Sequence, residues 1–155
     1  MNKKEDRVRD VFIETMGNLG EGLGLNRTVC QMYALLYLSP QPLSPTEISA
    51  VLGVSKGNVS INMRKLETWN AVRRVWRKGY ARSLYCANED VEEIVLDKLK
   101  SGVEKRIVLL KKNLRGLSRE TKTSPYAPKI AELKRILDKM ESFTRNFALI
   151  KSLLK

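Results

Sequence analysis

"SPTEISAVLGVSKGNVSINMRKLETW", residues 44–69, decides the fold. Ser44 with Glu47 three positions on is a capping box, and Pro45 takes the first helical position, where a missing N–H costs nothing. The helix so started buries Ile48, Val51 and Leu52 and stops at Gly53, a residue suited to the left-handed conformation. Only Val54 separates that stop from Ser55, the N-cap of the next helix. A short helix, a tight glycine turn and a longer helix make a helix-turn-helix.

The second helix has an unusual surface. At about 100° per residue, Val59, Met63, Leu66 and Asn70 fall on one side. Opposite lie Gly57, Ile61, Arg64 and Thr68, flanked by Asn58, Ser60 and Lys65. An ordinary surface helix leaves both the glycine in the first turn and the water-facing isoleucine without a reason. The DNA major groove accounts for them: arginine reads guanine, asparagine reads adenine, and an aliphatic side chain meets the thymine methyl. Gly57 lets the positive end of the helix come close to phosphate. The candidate DNA-binding residues here are therefore Ser55, Lys56, Gly57, Asn58, Ser60, Ile61, Arg64, Lys65 and Thr68.

Behind this helix, "AVRRVW" (71–76) and "SLYC" (83–86) read as strands, with "RKGY" turning between them at Gly79. A basic hairpin in that place is a wing. Arg77 and Lys78 at its tip, with Arg82, complete the candidate DNA contacts by reaching phosphate or the minor groove. Trp69 and Trp76 admit two readings, stacking platforms for single strands or anchors packed at the wing base, and the second is preferred.

Upstream, Val8, Val11, Phe12, Met16, Leu19 and Leu23 recur at helical spacing from about Lys4, and the helix they predict ends near Gly24. Gly17 and Gly20 are read as sites of close helix packing. "GEGLGL" is no dinucleotide loop, because it precedes no βαβ unit and Leu25 stands where the third glycine belongs. Asn26 caps a helix carrying Val29, Cys30, Tyr33, Leu36 and Tyr37, which Pro40 and Pro42 stop. Downstream, Asn88 is expected to cap a long helix with the stripe Val91, Ile94/Val95, Leu99, Val103, Ile107, Leu110 and Leu114. A polar break, "SRETKTSPYAP" (118–128), leads to a last helix with Ile130, Leu133, Leu137, Met140, Phe147, Ile150 and Leu154. Two such helices bury little alone, so a second subunit is expected against them.

Composition agrees with a polyanionic partner. The 155 residues carry 29 Lys+Arg against 17 Asp+Glu and no histidine, a formal +12. Between Ser55 and Cys86 eight basic residues face one acid, Glu67, so this fifth of the chain holds a net +7. With no histidine, no phosphate loop and no metal-spaced ligands, an enzyme, a cofactor and a metal site are not expected. "MNKKEDRVRD" is no signal peptide, and no stretch approaches the roughly 20 apolar residues of a membrane span. Cys30 and Cys86 form no Cys-x-x-Cys pair, which fits a cytoplasmic protein with reduced thiols, and Cys30 reads as a small core residue.

The run from Leu25 to Gly79, above all "LGVSKGNVSINMRKLETW", resembles the GbsR-type branch of the MarR-like winged helix-turn-helix transcriptional regulators. The resemblance covers residues 12–86 best. It implies a mainly α fold with a small β-wing, with N- and C-terminal helices forming a dimerisation region. The expected organisation is an N-terminal dimerisation helix over 1–25, a DNA-binding winged helix over 26–87 and a helical dimerisation region over 88–155. The expected function is a homodimeric repressor that binds double-stranded DNA sequence-specifically. A winged-helix protein-interaction subunit of a transcription complex is the alternative. The resemblance also implies a small-molecule effector of unknown identity, for which Phe12, Met16, Tyr33 and Tyr37 are the candidate contacts.

Overall fold

A computed structural model describes residues 3–79, 83–120 and 123–146. The elements are α1 (Lys3–Gly22), α2 (Arg27–Leu38), α3 (Pro45–Leu52), α4 (Lys56–Thr68), β1 (Val72–Val75), β2 (Leu84–Ala87), α5 (Val91–Glu120) and α6 (Ala127–Arg145). They form two compact units, Met1–Ile94 and Val95–Lys155, each with its own core.

The first unit is a winged helix with α1 packed on it. Val29, Met32 and Leu36 of α2, Ile48 of α3, and Val59, Met63 and Leu66 of α4 are all at most 2% exposed. Each such side chain contributes roughly 1.5–3 kcal/mol by leaving water. Two of the predicted caps act here: Ser44 and Glu47 complete their capping box, and Asn26 accepts from the Val29 N–H at 3.0 Å. Gly53 ends α3 at φ 64°, in the left-handed region.

The strands pair antiparallel, with Val72 opposite Ala87 and Val75 opposite Leu84. Leu43, ahead of α3, exchanges both backbone hydrogen bonds with Tyr85, at 2.9 and 2.8 Å, and so ties the helix-turn-helix to the wing. Between α1 and α2 the approach is close, as Gly17 and Gly20 predict. A Cβ on Gly20 would run into the Cys30 Sγ and lie 2.9 Å from its Cβ, and one on Gly17 would lie 2.8 Å from Gln31 Cγ. Arg27 pairs with Glu14 and Glu21 and donates to Asn18, holding the same two helices together.

Val51 of α3, expected to be buried with Ile48 and Leu52, is 42% exposed, and three further expectations need correction. Asn70 does not extend the buried side of α4; the helix is capped at Trp69, and Asn70 is exposed with φ 54°. Asp90 caps α5 rather than Asn88, accepting from the Glu93 N–H at 3.0 Å. Asn88 is used in a joint instead. Its amide donates to the Asn70 carbonyl at 3.0 Å, its N–H to Ala71 O at 2.8 Å, and its own carbonyl accepts from the Tyr33 hydroxyl at 2.7 Å.

The third correction concerns the second unit, where Ile107 and Leu114 of α5 and Leu137 of α6 are buried with Val103 and Ile130 beside them. The inward stripe of α6 is Ile130, Leu137 and Thr144, seven residues apart, while Leu133 and Met140 turn outward at 45% exposure each. Leu110 of the α5 stripe is exposed too. Gaps of three and four over a wide apolar arc fit either face, so spacing alone does not separate them. Lys111 reaches from α5 to Asp138 at 2.5 Å and Glu141 at 2.7 Å. Phe147, Ile150 and Leu154 lie outside the described residues.

The α1–α2 contact predicts that Gly20→Ala destabilises by overpacking, about 1–3 kcal/mol, against a gain of up to about 1 kcal/mol in helix propensity. Denaturant unfolding should show the loss, and a Cys30→Ala background should recover much of it. The capping box predicts that Ser44→Ala costs about 0.5–2 kcal/mol. Ser44, through its side chain and its backbone N–H, holds the Glu47 carboxyl below its ordinary value of 4.5. A depressed folded-state value stabilises above the unfolded value and is lost as pH falls through the folded one. The penalty of Glu47→Ala should therefore be full at pH 7 and fade below about pH 4.

Candidate nucleic-acid interface

The two ends of α4 are fixed differently. At the start, Ser55 accepts from the Asn58 N–H at 3.2 Å. At the far end Glu67 receives two hydrogen bonds from Arg74 of β1, at 2.5 and 3.1 Å. The same guanidinium lies over the Tyr85 ring, 5.7 Å from its centre. Contact with Glu67 first, then the nearby Tyr85, holds Arg74 above the ordinary arginine value. The one acid of the basic stretch is thereby matched within the fold.

The nine residues expected on the open face of α4 are all exposed: Ser55, Lys56, Gly57, Asn58, Ser60, Ile61, Arg64, Lys65 and Thr68. Ile61 is 59% exposed, a large aliphatic side chain in water with cations on the same helix. No acidic residue occupies the first turn. Space is open around Gly57, where an added Cβ would meet only the Ser55 hydroxyl at 4.0 Å. The Thr68 hydroxyl donates back to the Arg64 carbonyl at 2.9 Å.

Asn58 is more constrained than its exposure conveys. Its Oδ1 accepts from Asn62 Nδ2 at 2.6 Å, and Asn62 itself is 5% exposed among Val59, Met63 and Leu66. Apolar periodicity does not single out Asn62; its signal in the sequence is an asparagine pair four residues apart on a helix.

In the wing, Arg73, Arg74, Arg77 and Lys78 are exposed, and Gly79 takes φ 90° at the turn. Arg82 lies outside the described residues. The two tryptophans part company. Trp69 packs against the core, as expected of an anchor, but Trp76 is 80% exposed one residue beyond the end of β1. The wing base is filled instead by Val72, Leu84 and Tyr85, which leaves no place for a second indole.

Of the four candidate effector contacts, three rings form a row. Phe12 and Tyr37 stack with centres 6.4 Å apart, and Tyr37 and Tyr33 with centres 6.0 Å apart. Met16 packs at the margin of the same core. Burial pushes the Tyr33 phenol up to about 12, so the ring stays neutral in the physiological range. A cleft of about 610 Å³ in this unit is lined by Val8, Leu35, Leu38, Leu43 and Val51 among others, and none of these four residues borders it. Among the described residues no three His, Cys, Asp or Glu side chains gather to hold a metal, and no helix is long and apolar enough to cross a membrane.

Comparison with known proteins agrees with the winged-helix fold. The model described as "MarR family" matches residues 23–78. The chain is 26% identical over 117 residues to the HTH-type transcriptional repressor OpcR of Bacillus subtilis (strain 168), covering 73% of this chain and 63% of that one. It is 24% identical over 85 residues to the HTH-type transcriptional repressor GbsR of the same organism, covering 55% of this chain and 47% of that one. The chain thus spans roughly half to two thirds of the length of these relatives. A crystal structure described as that of a transcriptional regulator aligns with a TM-score of 0.63 over 95% of this chain and 99% of that one. At 20% identity that likeness speaks for the fold alone. Residues 23–78, the stretch that the MarR family model matches, hold the helix-turn-helix and the first strand of the wing, and GbsR is among the relatives of the chain.

Proposed function

We propose that the chain is a sequence-specific, double-stranded DNA-binding transcriptional regulator, a homodimeric repressor acting in the cytoplasm. One observation carries this reading: α4 exposes Gly57, Asn58, Ile61, Arg64 and Lys65 together. Polar readers beside an aliphatic contact are what base edges in the major groove require. Two relatives bearing the name of transcriptional repressor support the sign of regulation. In this reading residues 26–87 bind DNA, and 1–25 with 88–155 bring two copies together.

The dimer rests on the second stripe of α6. Leu133, Ile136, Met140 and Phe143 are 45–62% exposed and follow each other by three, four and three. That is the spacing of a packing seam, and it lies roughly 80° round the helix from the stripe that α5 covers. One α4 contacts only a few base pairs, so useful specificity needs two, about one helical turn or a multiple apart.

Selection of bound duplexes from a random pool tests the function, and an enriched palindromic consensus is expected. Arg64→Ala should cost about 1–3 kcal/mol on the selected site and relax one base position. Arg77→Ala with Lys78→Ala should weaken binding on every sequence and flatten log K against log salt by about two units. Equal losses on selected and random duplex for Arg64→Ala would make it a phosphate contact. For the dimer, Ile136→Asp with Phe143→Asp is the appropriate pair, because Leu137 belongs to the α5–α6 packing. Sedimentation should give a wild-type dimer at micromolar concentration and a variant monomer that no longer holds the palindrome.

A further inference from the structure

We propose that Asn62 is a positioning residue for base reading: it turns the Asn58 amide so that the NH2, and not the carbonyl, is offered to the groove. The inference rests on the reading of α4 as the DNA-contacting helix. Asn62 sits on the core side of that helix, where Val59, Met63 and Leu66 are at most 1% exposed. Among the described residues only Asn62 and Thr144 are buried polar side chains, and Thr144 spends its hydroxyl on the Glu141 carbonyl of its own helix. A buried amide is costly unless its groups are bonded, so an apolar residue would be the simpler choice here. Asn62 instead sends its Nδ2 outward, one turn back along the helix, to Asn58 Oδ1 at 2.6 Å.

The consequence is directional. An asparagine amide has one acceptor and one donor end, and bidentate reading of adenine uses both. With Oδ1 turned back to Asn62, the outward group of Asn58 is its Nδ2, a donor. Its backbone cannot swing to compensate, because the Asn58 N–H is committed to the Ser55 hydroxyl at 3.2 Å. A lone donor in the major groove is met best by guanine, which presents two acceptors, O6 and N7, then by thymine through O4, while adenine offers it N7 alone and leaves its N6–H unmatched. The pair thus removes the two-bond fit to adenine expected of a free asparagine at this position and turns the preference toward guanine.

Random-duplex selection with the full chain at pH 8 tests this with four proteins: wild type, Asn58→Ala, Asn62→Leu and Asn62→Asp. In the wild type one position should favour guanine or thymine over adenine, and Asn58→Ala should relax it. Asn62→Leu, similar in size and apolar, should relax the same position by about two- to tenfold, the worth of one hydrogen bond. Random-duplex affinity and the other positions should stay as they were. Ionised Asn62→Asp can only accept, so it should reverse the Asn58 amide and shift that position to adenine or cytosine, which present donors. If Asn62→Asp fails to fold, Asn62→Leu still decides. A consensus unchanged in Asn62→Leu, or one degraded evenly at all positions, would overturn the proposal. So would a wild type in which Asn58→Ala alters no base position, since Asn58 would then meet phosphate. Absence of any wild-type consensus would instead sink the DNA-binding reading itself.

Discussion

The direction of α4 depends on one left-handed residue. Gly53 stands at φ 64° and ψ 26°, and its N–H reaches the Ser49 carbonyl. Val54 N–H bonds the same carbonyl at 3.3 Å, and the Ser49 hydroxyl returns a bond to Val54 O at 2.6 Å. Three bonds from one serine thus close the turn in two residues and leave Ser55 extended, ready to cap α4. A Cβ on Gly53 would meet nothing within 4 Å, so the demand for glycine is purely conformational. Any other residue held there would cost about 1–2 kcal/mol in backbone energy. Lengthening or loosening this turn would move the exposed face of α4 relative to the wing while leaving both elements intact.

Charge is arranged with the same economy. Glu67 and Arg74 are 26% and 56% exposed at their side chains, so as an ion pair they stabilise little. Their effect is to remove the only negative charge from the region, which leaves Lys56, Arg64 and Lys65 on α4 without an acid on that helix's open face. Lys56 in the first turn opposes the helix dipole, an arrangement mildly unfavourable to the helix taken alone. An anion lying across that end would reverse the sign of the effect. The field is short-ranged, since at physiological salt it decays over about 8 Å. Attraction to a polyanion therefore acts at contact distance, where geometry also decides.

The helix-turn-helix could be read from sequence because its signals are local. Ser44, Pro45, Glu47, Gly53 and Ser55 each act within four residues, and every one takes the role its chemistry predicts. The nine open-face positions of α4 followed from the angle per residue alone. What stayed hidden depends on distant partners. Asn88 has the composition of a cap, but the backbone of Asn70 and Ala71 and the hydroxyl of Tyr33 engage it first. Trp76 has the bulk of an anchor, yet Leu84 and Tyr85 already fill the wing base. Asn62 is the exception, since its partner Asn58 is only four residues away; on the apolar side of the helix, that 2.6 Å bond is what distinguishes it from a misplaced polar residue.

The α6 helix carries this lesson furthest, because it has two apolar stripes and the described residues cover one of them. The choice between them is made by charge. Lys111 on α5 meets Asp138 and Glu141, which flank Leu137, and Arg145 adds a third contact to Glu141 at 3.2 Å. Those carboxylates first, with burial opposing them, hold the Lys111 ammonium above its usual value. An opposed register, with Leu133 and Met140 facing α5, would take Asp138 and Glu141 away from Lys111 while burying similar apolar area. Hydrophobic burial is non-directional and would tolerate either register. The ion pairs are directional, and they accompany the register in which Leu133, Ile136, Met140 and Phe143 face outward. Specifying the inner packing of this unit and reserving its outer seam are therefore one physical decision, made at Lys111.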